Sequence, residues 1–305
     1  MRCAIIGAGI TGIAAARKLK ELDWEPVLFD KGARPGGRMA TRRLAGPSGQ
    51  AAKFDSGAQF LTMRDSSFAA SLQPLLDGGI VREWHLGFTN GEGQHPRYCG
   101  AAGMNSIIRS WSAGLTIHPA VRVERVEAVG HGWRVMGEAF DAVILTAPVP
   151  QSLELMGTLE HAVLGQVAYD RCLAVLAIPV KPVTILGPGS WRAFDDEPIS
   201  FIADNRRKGI SIEPAITIHA TGAYSLEHWD DPQAVAELLH AAGVEASATY
   251  LHRWKFAKAT VLHPERCYRE PTGPPLVFAG DAFLEPKIEG AVLSGWAAAE
   301  AVSEK

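Results

Sequence analysis

Three glycines near the start of the chain have the spacing of a phosphate-binding turn. Gly7, Gly9 and Gly12 follow the apolar run of residues 2–6 and lead into a segment with helical spacing. In such a turn the first glycine makes the bend, the second lets a pyrophosphate approach, and the third lets the helix meet the strand. The free N–H groups at the helix start would face the phosphates, so the pattern predicts a nucleotide site.

An acidic residue stands where a ribose would be recognised. Residues 26–29 form a second apolar run that ends at Asp30. A carboxylate at the end of the second strand can accept hydrogen bonds from a ribose 2′-hydroxyl. The order of strand, turn, helix, strand and Asp30 predicts the start of a parallel βαβ unit that binds a dinucleotide, without separating NAD from FAD.

Three later segments favour FAD, because they resemble the amine oxidase superfamily of FAD enzymes. Arg34–Met39 resembles the GGR(M) segment of that superfamily, and Asp141–Pro148 is similar to the strand that closes its dinucleotide fold. Phe278–Asp281, followed by Glu289–Val292, resembles its C-terminal flavin segment. The motifs and this resemblance imply that FAD contacts Gly7, Gly9, Ile10, Thr11, Gly12, Asp30, Lys31, Gly37, Arg38, Met39, Gly57, Ala58, Gln59, Val123, Thr146, Gly280, Asp281, Glu289, Gly290, Ala291 and Val292.

A closer resemblance is to the renalase family. It is carried by Asp55–Thr62 (DSGAQFLT), Gly103–Ile108 (GMNSII) and His252–Phe256 (HRWKF), whereas residues 150–245 match only in general pattern. The resemblance implies an oxidase that takes a hydride from the 2- or 6-dihydro isomers of NAD(P) onto FAD and passes the electrons to O2, which gives H2O2. A flavin amine oxidase or desaturase would share the FAD motifs, and a non-catalytic dinucleotide-binding protein would share the glycine turn.

The expected catalytic residues are positioning groups, because the flavin supplies the chemistry. The GAQ setting makes Gln59 an amide donor and acceptor near the reacting ring, and Trp254 is expected as an aromatic wall. Strand alternation places His252 on the same face as Trp254 and Lys255 on the other face. The alternatives are a core tryptophan, a histidine with ordinary structural partners and a solvated lysine. The run Arg206–Lys208 has the charge to meet an anionic dinucleotide, but a charged loop after a strand is usually solvated, and that is the expectation.

The fold class expected is α/β, a GxGxxG-type Rossmann-like FAD-binding domain with an inserted α+β substrate domain on a mostly antiparallel sheet. Changes of pattern along the chain divide it into a discontinuous FAD-binding domain and a substrate domain. The former takes residues 1–64, 101–150 and 256–305, and the latter takes 65–100 and 151–255. Strands are also expected at 80–89, 121–129 and 133–136, and helices at 65–77, 232–241 and 290–302.

Composition argues against several other classes. A formal net charge of −3 gives no basic field for a nucleic acid, and neither the four cysteines nor the ten histidines have metal-ligand spacing. Scattered cysteines and the lack of a membrane span or signal segment favour a cytoplasmic protein with a small-molecule substrate. In the amine oxidases that this chain resembles, covalent attachment typically uses a cysteine in the C-terminal flavin segment. No cysteine follows Cys267, so the resemblance implies that FAD is bound non-covalently. The sequence leaves the oligomeric state open.

Overall fold

The computed structural model describes residues 1–86, 95–158, 160–183, 185, 191–193 and 198–304. The described helices, in chain order, are α1 (Ile10–Glu21), α2 (Ser66–Asp77), α3 (Asn105–Trp111), α4 (Val149–Leu155), α5 (Gly222–Glu227), α6 (Ala234–Ala242) and α7 (Ile288–Ser303). The described strands are β1 (Arg2–Ile6), β2 (Glu25–Asp30), β3 (Thr41–Ala45), β4 (Ala51–Asp55), β5 (Val81–Leu86), β6 (Pro96–Gly100), β7 (Thr116–Pro119), β8 (Glu127–Val129), β9 (Gly132–Val135), β10 (Glu138–Phe140), β11 (Ala142–Leu145), β12 (Ala168–Pro179), β13 (Trp191–Ala193), β14 (Ile199–Asp204), β15 (Ile216–Ala220), β16 (Ala246–Val261), β17 (Tyr268–Arg269) and β18 (Leu276–Phe278).

Two compact units make up the chain, and each is built from separate stretches. The first contains residues 1–37, 108–168 and 258–305, and the second contains residues 38–107 and 169–257. Residues 38–64, which the sequence analysis groups with the FAD-binding domain, cluster with the second unit. The reason is local: the end of β4 is hydrogen-bonded to residues 205 and 217 of that unit. The functional division of the chain therefore stays a prediction.

The first unit is built on a six-stranded sheet in the order β17-β18-β11-β1-β2-β7. Its neighbours are parallel except for the short β17. Strand β11 and residues 3–6 of β1 are continuously apolar and buried, as expected when helices cover both faces of a parallel sheet. Helix α7 packs closely on α1, because Gly295 has no Cβ to meet the carbonyl of Thr11. This packing fixes the glycine turn at the carboxyl end of β1.

A small antiparallel sheet of β8, β9 and β10 corrects one prediction. The strand expected over 121–129 covers only Glu127–Val129. Residues 121 and 126 donate their N–H groups to Asp30 and Leu155, which lie outside that sheet. Because those donors are used elsewhere, residues 121–126 do not continue the ladder. The strand expected over 80–89 is β5, and residues 87–89 lie outside the described residues.

The second unit is built on a five-stranded sheet in the order β13-β14-β15-β12-β16, with antiparallel pairing wherever a register is described. A buried apolar cluster from β12, β14 and β15 packs with α6, which ends at Gly243 in the left-handed conformation. The hairpin β3–β4 sets Arg42 opposite Phe54 and Arg43 opposite Lys53. A parallel Rossmann-like sheet and an antiparallel sheet confirm the predicted fold class.

Candidate functional site: a dinucleotide turn and a buried polar network

The glycine turn of the first unit leaves the start of α1 open. A Cβ on Gly12 would overlap the carbonyl oxygen of Gly7, whereas the space beside Gly9 holds no atom within 4 Å. Gly9 is the N-cap of α1 and makes no side-chain capping bond, and the first turn of the helix carries no acidic residue. Among the described residues, the first N–H groups of α1, including those of the buried Ile10 and Thr11, therefore have no capping side chain. An uncapped helix start beside open space fits the pyrophosphate of a dinucleotide.

Asp30 holds the same turn from the next strand. Its Oδ2 accepts a hydrogen bond from the N–H of Ala8, and its Oδ1 accepts one from the N–H of Gly32, both at 2.6 Å. A carboxylate has about four lone-pair sites, so ribose hydroxyls can still bind to it. The hydroxyl of Thr146 lies 3.0 Å from the carbonyl of Ile6 and 3.2 Å from that of Gly7. Both predicted cofactor residues thus hold the turn in shape.

Other segments predicted to contact FAD lie beside this turn. The N–H of Gly36 donates to the carbonyl of Ala8, and Gly37 faces the Cα of Gly9. The N–H of Val121 donates to the carbonyl of Asp30, which brings the loop carrying the buried Val123 to the end of β2. Lys31 is exposed, and its Nζ lies 3.4 Å from Oε1 of Gln151.

The C-terminal segment forms a second strand end followed by an uncapped helix. Strand β18 runs into Gly280, whose N–H donates to the hydroxyl of Ser294 at 2.9 Å, and Asp281 follows directly. No side chain caps α7 at Lys287. In its first turns the side chains of Glu289, Ala291 and Val292 are buried, and a Cβ on Gly290 would overlap the carbonyl of Glu285. A cofactor at this helix start would therefore meet mainly backbone.

In the second unit, a buried ion pair anchors the segment that follows β4. Asp55 and Lys208 both have fully buried side chains, and Nζ of Lys208 lies 2.7 Å from Oδ2 of Asp55. The other oxygen of Asp55 accepts bonds from the hydroxyl of Thr41 at 2.7 Å and from the N–H of Met104 at 2.8 Å. The expectation that Lys208 is solvated is wrong, because this partner keeps the ammonium group inside. Arg206 and Arg207 are exposed, as expected.

Gln59 is part of this buried network. Its amide nitrogen donates to the carbonyls of Asp55 at 2.6 Å and Gly57 at 3.1 Å. Nζ of Lys208 donates to the carbonyl of Gln59 and lies 3.5 Å from its Oε1. A Cβ on Gly57 would overlap the carbonyl of Arg38, and that carbonyl also accepts the N–H of Ala58. The side chain predicted to face a reacting ring thus braces its own loop.

A hydrogen bond to the carbonyl of Ser56 connects Trp254 to this network. That carbonyl accepts the indole N–H of Trp254 at 2.9 Å and lies 3.1 Å from Nε2 of His219. Because a carbonyl only accepts, Nε2 of His219 carries the proton and Nδ1 is left as an acceptor. Burial lowers the pKa of His219 to about 4, and Lys208 adds to that shift. The imidazole is therefore neutral at physiological pH.

The rings on one face of β16 form a ladder. The centroids of Trp254 and His252 are 4.1 Å apart, and those of His252 and Tyr250 are 6.3 Å apart. The guanidinium of Arg42 lies 5.1 Å from the ring of Tyr250. Burial, followed by the charge of Arg42, lowers the pKa of His252 to about 4. The two predicted residues do share a face, and both are half-buried.

Arg38 and Met39 complete the predicted set in this unit. Nη1 of Arg38 lies 3.4 Å from the carbonyls of both Phe256 and Ala257, and Met39 is buried. The second unit thus brings together Arg38, Met39, Gly57, Ala58, Gln59, His252 and Trp254. The first unit holds the other predicted residues.

Sequence reasoning missed Lys208, His219, Asn205 and Thr217, all of which touch the segment from Asp55 to Gln59. The amide of Asn205 binds the hydroxyl of Thr217, which donates to the carbonyl of Asp55. One signal was present, since His219 and Thr217 are polar residues within the apolar run of β15. The contact between Lys208 and Asp55 spans 153 positions and leaves no local pattern.

Comparison with known proteins agrees with these features. The family model of the NAD(P)-binding Rossmann-like domain matches residues 5–74. Renalase from Mus musculus is 26% identical over 330 residues, which cover 96% of this chain and 96% of renalase. The resemblance to the renalase family is confirmed. The predicted oxidoreductase class and FAD cofactor are confirmed as well.

Solved structures show the same fold as that of the renalase-like chain. A protein from Exiguobacterium sp. described as a protoporphyrinogen oxidase has a TM-score of 0.76 at 13% identity, over 99% of this chain and 98% of its own. A putrescine oxidase has a TM-score of 0.63 at 15% identity, over 98% of both chains. In the part of the chain that the structure describes, no helix is long and apolar enough to cross a bilayer, and no cluster of metal-ligating side chains is found.

Proposed function

We propose that the protein is an FAD-dependent oxidase whose substrate is a dihydronicotinamide isomer, the 2- or 6-dihydro form of NAD(P). Bound FAD would accept the hydride from the substrate ring and pass two electrons to O2, so that the substrate, O2 and one proton give NAD(P)⁺ and H2O2. Renalase is the full-length relative that supports this reaction. The first unit would hold the cofactor's pyrophosphate at the start of α1 and its ribose at Asp30.

The observation that carries the proposal is the neutral, braced hydrogen-bonding site around Ser56. His219 and His252 both have pKa values near 4, so neither imidazole is a base with a pKa near 7. A dihydropyridine ring needs no proton removed before it releases a hydride, because its product is a pyridinium cation. An amine reaches the site mostly as an ammonium ion and must lose a proton first. The described groups therefore suit the dihydropyridine better.

The chain's own residues would bind and orient the ring. Trp254, held by the Ser56 carbonyl, would offer a flat apolar surface, and Nδ1 of His219 would accept a bond from a carboxamide N–H. Gln59 would act indirectly by keeping the loop in one conformation. Such a site excludes water and places the ring without forming a covalent bond.

Single-turnover mixing without oxygen tests this function. The FAD-loaded protein is mixed with the 2-, 4- or 6-dihydro form of NAD(P)H, or with an amine, while the flavin absorption is followed. We expect fast bleaching by the 2- or 6-dihydro forms and, after oxygen is admitted, one H2O2 for each substrate. Bleaching by the ordinary 4-dihydro form alone would indicate a reductase, and bleaching by amines alone would indicate an amine oxidase.

A further inference from the structure

Arg42 lies beside the aromatic ladder and has no acidic partner among the residues that the structure describes. No carboxylate of the described residues lies within 4 Å of its guanidinium, and its Nε is buried without a hydrogen-bond partner among those residues. Its neighbour Arg43 is exposed and points to the other side of β3. A buried N–H donor without a hydrogen-bond partner is unfavourable, because it has lost its bonds to water. A ligand that accepts hydrogen bonds from the guanidinium would remove this cost.

The rings next to Arg42 are arranged in a line along β16. Tyr250, His252 and Trp254 alternate along one face, and the line of their ring centroids spans at most about 10 Å. Trp254 is tied to the Ser56 carbonyl at one end, and Arg42 covers Tyr250 at the other. Tyr250 is 37% exposed, so the outer end is open to solvent. The line therefore runs from the apolar ring of Trp254, past the polar atoms of His252 and Tyr250, to the positive charge of Arg42.

We propose that Arg42, Tyr250 and His252 form a subsite for the ribose and phosphate of the substrate, so that the enzyme selects a nicotinamide nucleotide over the free riboside. This rests on the proposed function. In such a ligand the ribose and then the phosphate follow the nicotinamide ring, in the same order as the groups along the ladder. The planar guanidinium matches two phosphate oxygens, and the hydroxyl of Tyr250 with the neutral His252 suits ribose hydroxyls.

The subsite also accounts for the charge at this face. A cationic amine would be repelled by Arg42, whereas a dinucleotide brings the negative charge that the guanidinium lacks. His252 is neutral beside that guanidinium, so it can both donate and accept a hydrogen bond. The ladder therefore distinguishes substrates by their distal part, away from the reacting ring.

Kinetics with two substrates test the subsite. Arg42→Ala and its matched control Arg43→Ala are compared with the 6-dihydro form of NAD and with the corresponding dihydronicotinamide riboside, which has no phosphate. We expect Arg42→Ala to raise KM for the dinucleotide about tenfold while kcat and the riboside's KM change less than about twofold. Arg43→Ala should match the wild type. Equal changes for both substrates, or none for the dinucleotide, would overturn the proposal.

Binding of ADP-ribose gives a readout that does not depend on activity. Calorimetry of the FAD-loaded protein should show about tenfold weaker binding of ADP-ribose to Arg42→Ala than to the wild type and to Arg43→Ala. Arg42→Lys, which keeps the charge but loses the planar fork, should fall between them. If the wild type oxidises no dihydronicotinamide, the proposed function fails, yet this titration still decides the subsite. Equal binding of ADP-ribose by all four proteins would exclude it.

Discussion

Replacing Lys208 with methionine would leave the carboxylate of Asp55 buried without its cation. Methionine has a similar length, so the side-chain volume is nearly kept while the charge is lost. Asp55 would retain the hydroxyl of Thr41 and the N–H of Met104, and the carbonyl of Gln59 would lose the donor from Lys208. The substitution thus measures the loss of the ion pair and of the hydrogen bond to the Gln59 loop, with little loss of packing.

The size of the effect follows from the burial of both partners. Removing one member of a fully buried pair costs about 3–5 kcal/mol, because the remaining charge is uncompensated. Each kcal/mol of lost stability lowers the Tm by about 2–4 °C in a large domain. A loss of about 3 kcal/mol should therefore lower the Tm by roughly 6–12 °C. The double variant Asp55→Asn with Lys208→Met removes both charges and should recover at least half of the loss.

Urea unfolding of the FAD-loaded protein, followed by tryptophan fluorescence, measures these differences. Arg207→Met is the matched control, since Arg207 is adjacent and exposed, and its effect should stay within about 0.5 kcal/mol. A loss below about 1 kcal/mol for Lys208→Met, equal to that of the control, would refute the reasoning. So would a double variant whose loss of stability relative to the wild type equals the sum of the losses of Asp55→Asn and Lys208→Met alone.

Three further predictions concern the cofactor and pH. Gly12→Ala should weaken FAD retention at least about tenfold, measured as flavin bound per protein, because its Cβ meets the Gly7 carbonyl; Gly165→Ala, which has open space, should retain FAD. The free energy of unfolding should fall by about 1–2 kcal/mol between pH 7.5 and pH 5 because of His219. The pKa of His219 is about 4 in the folded state and about 6.5 in the unfolded state, so unfolding takes up a proton in this range. His219→Gln should abolish that part of the pH dependence, measured by urea unfolding. Acid precipitation should release all FAD into the supernatant, because burial raises the pKa of the Cys267 thiol to about 11 and makes it a poor nucleophile; yellow colour in the pellet would contradict non-covalent binding.

The predictable part of the site is local in sequence. The glycine turn, Asp30 and the uncapped start of α1 lie within one strand-turn-helix-strand unit, so spacing alone was enough to locate them. The apolar run of β11 and the strand end at Gly280 were likewise visible, because buried parallel strands are continuously apolar. The strand expected over residues 121–126 failed, since apolar alternation does not show which partners receive the backbone N–H groups.

Gln59 and Trp254 were predicted only in part from the sequence. Their residue types and motif predict a place near the reaction, and the bonds of Gln59 to Asp55 and Gly57 stay within its own loop. The bond of Trp254 to Ser56 and the brace of Gln59 by Lys208 follow from packing between distant segments. The same holds for His219, because its neutral state depends on burial, which the residues next to it in the sequence do not indicate.

By itself, the sequence determined the Rossmann-like start, the segments that resemble FAD-binding motifs and the resemblance to renalase, because each motif rests on residues close together in the chain. Only the tertiary structure decided that Lys208 is buried against Asp55 and that Arg42, beside Tyr250, has no carboxylate partner among the described residues. The physical reason is that the cost or gain of a charge depends on its surroundings in space. Residues separated by more than a hundred positions supply those surroundings.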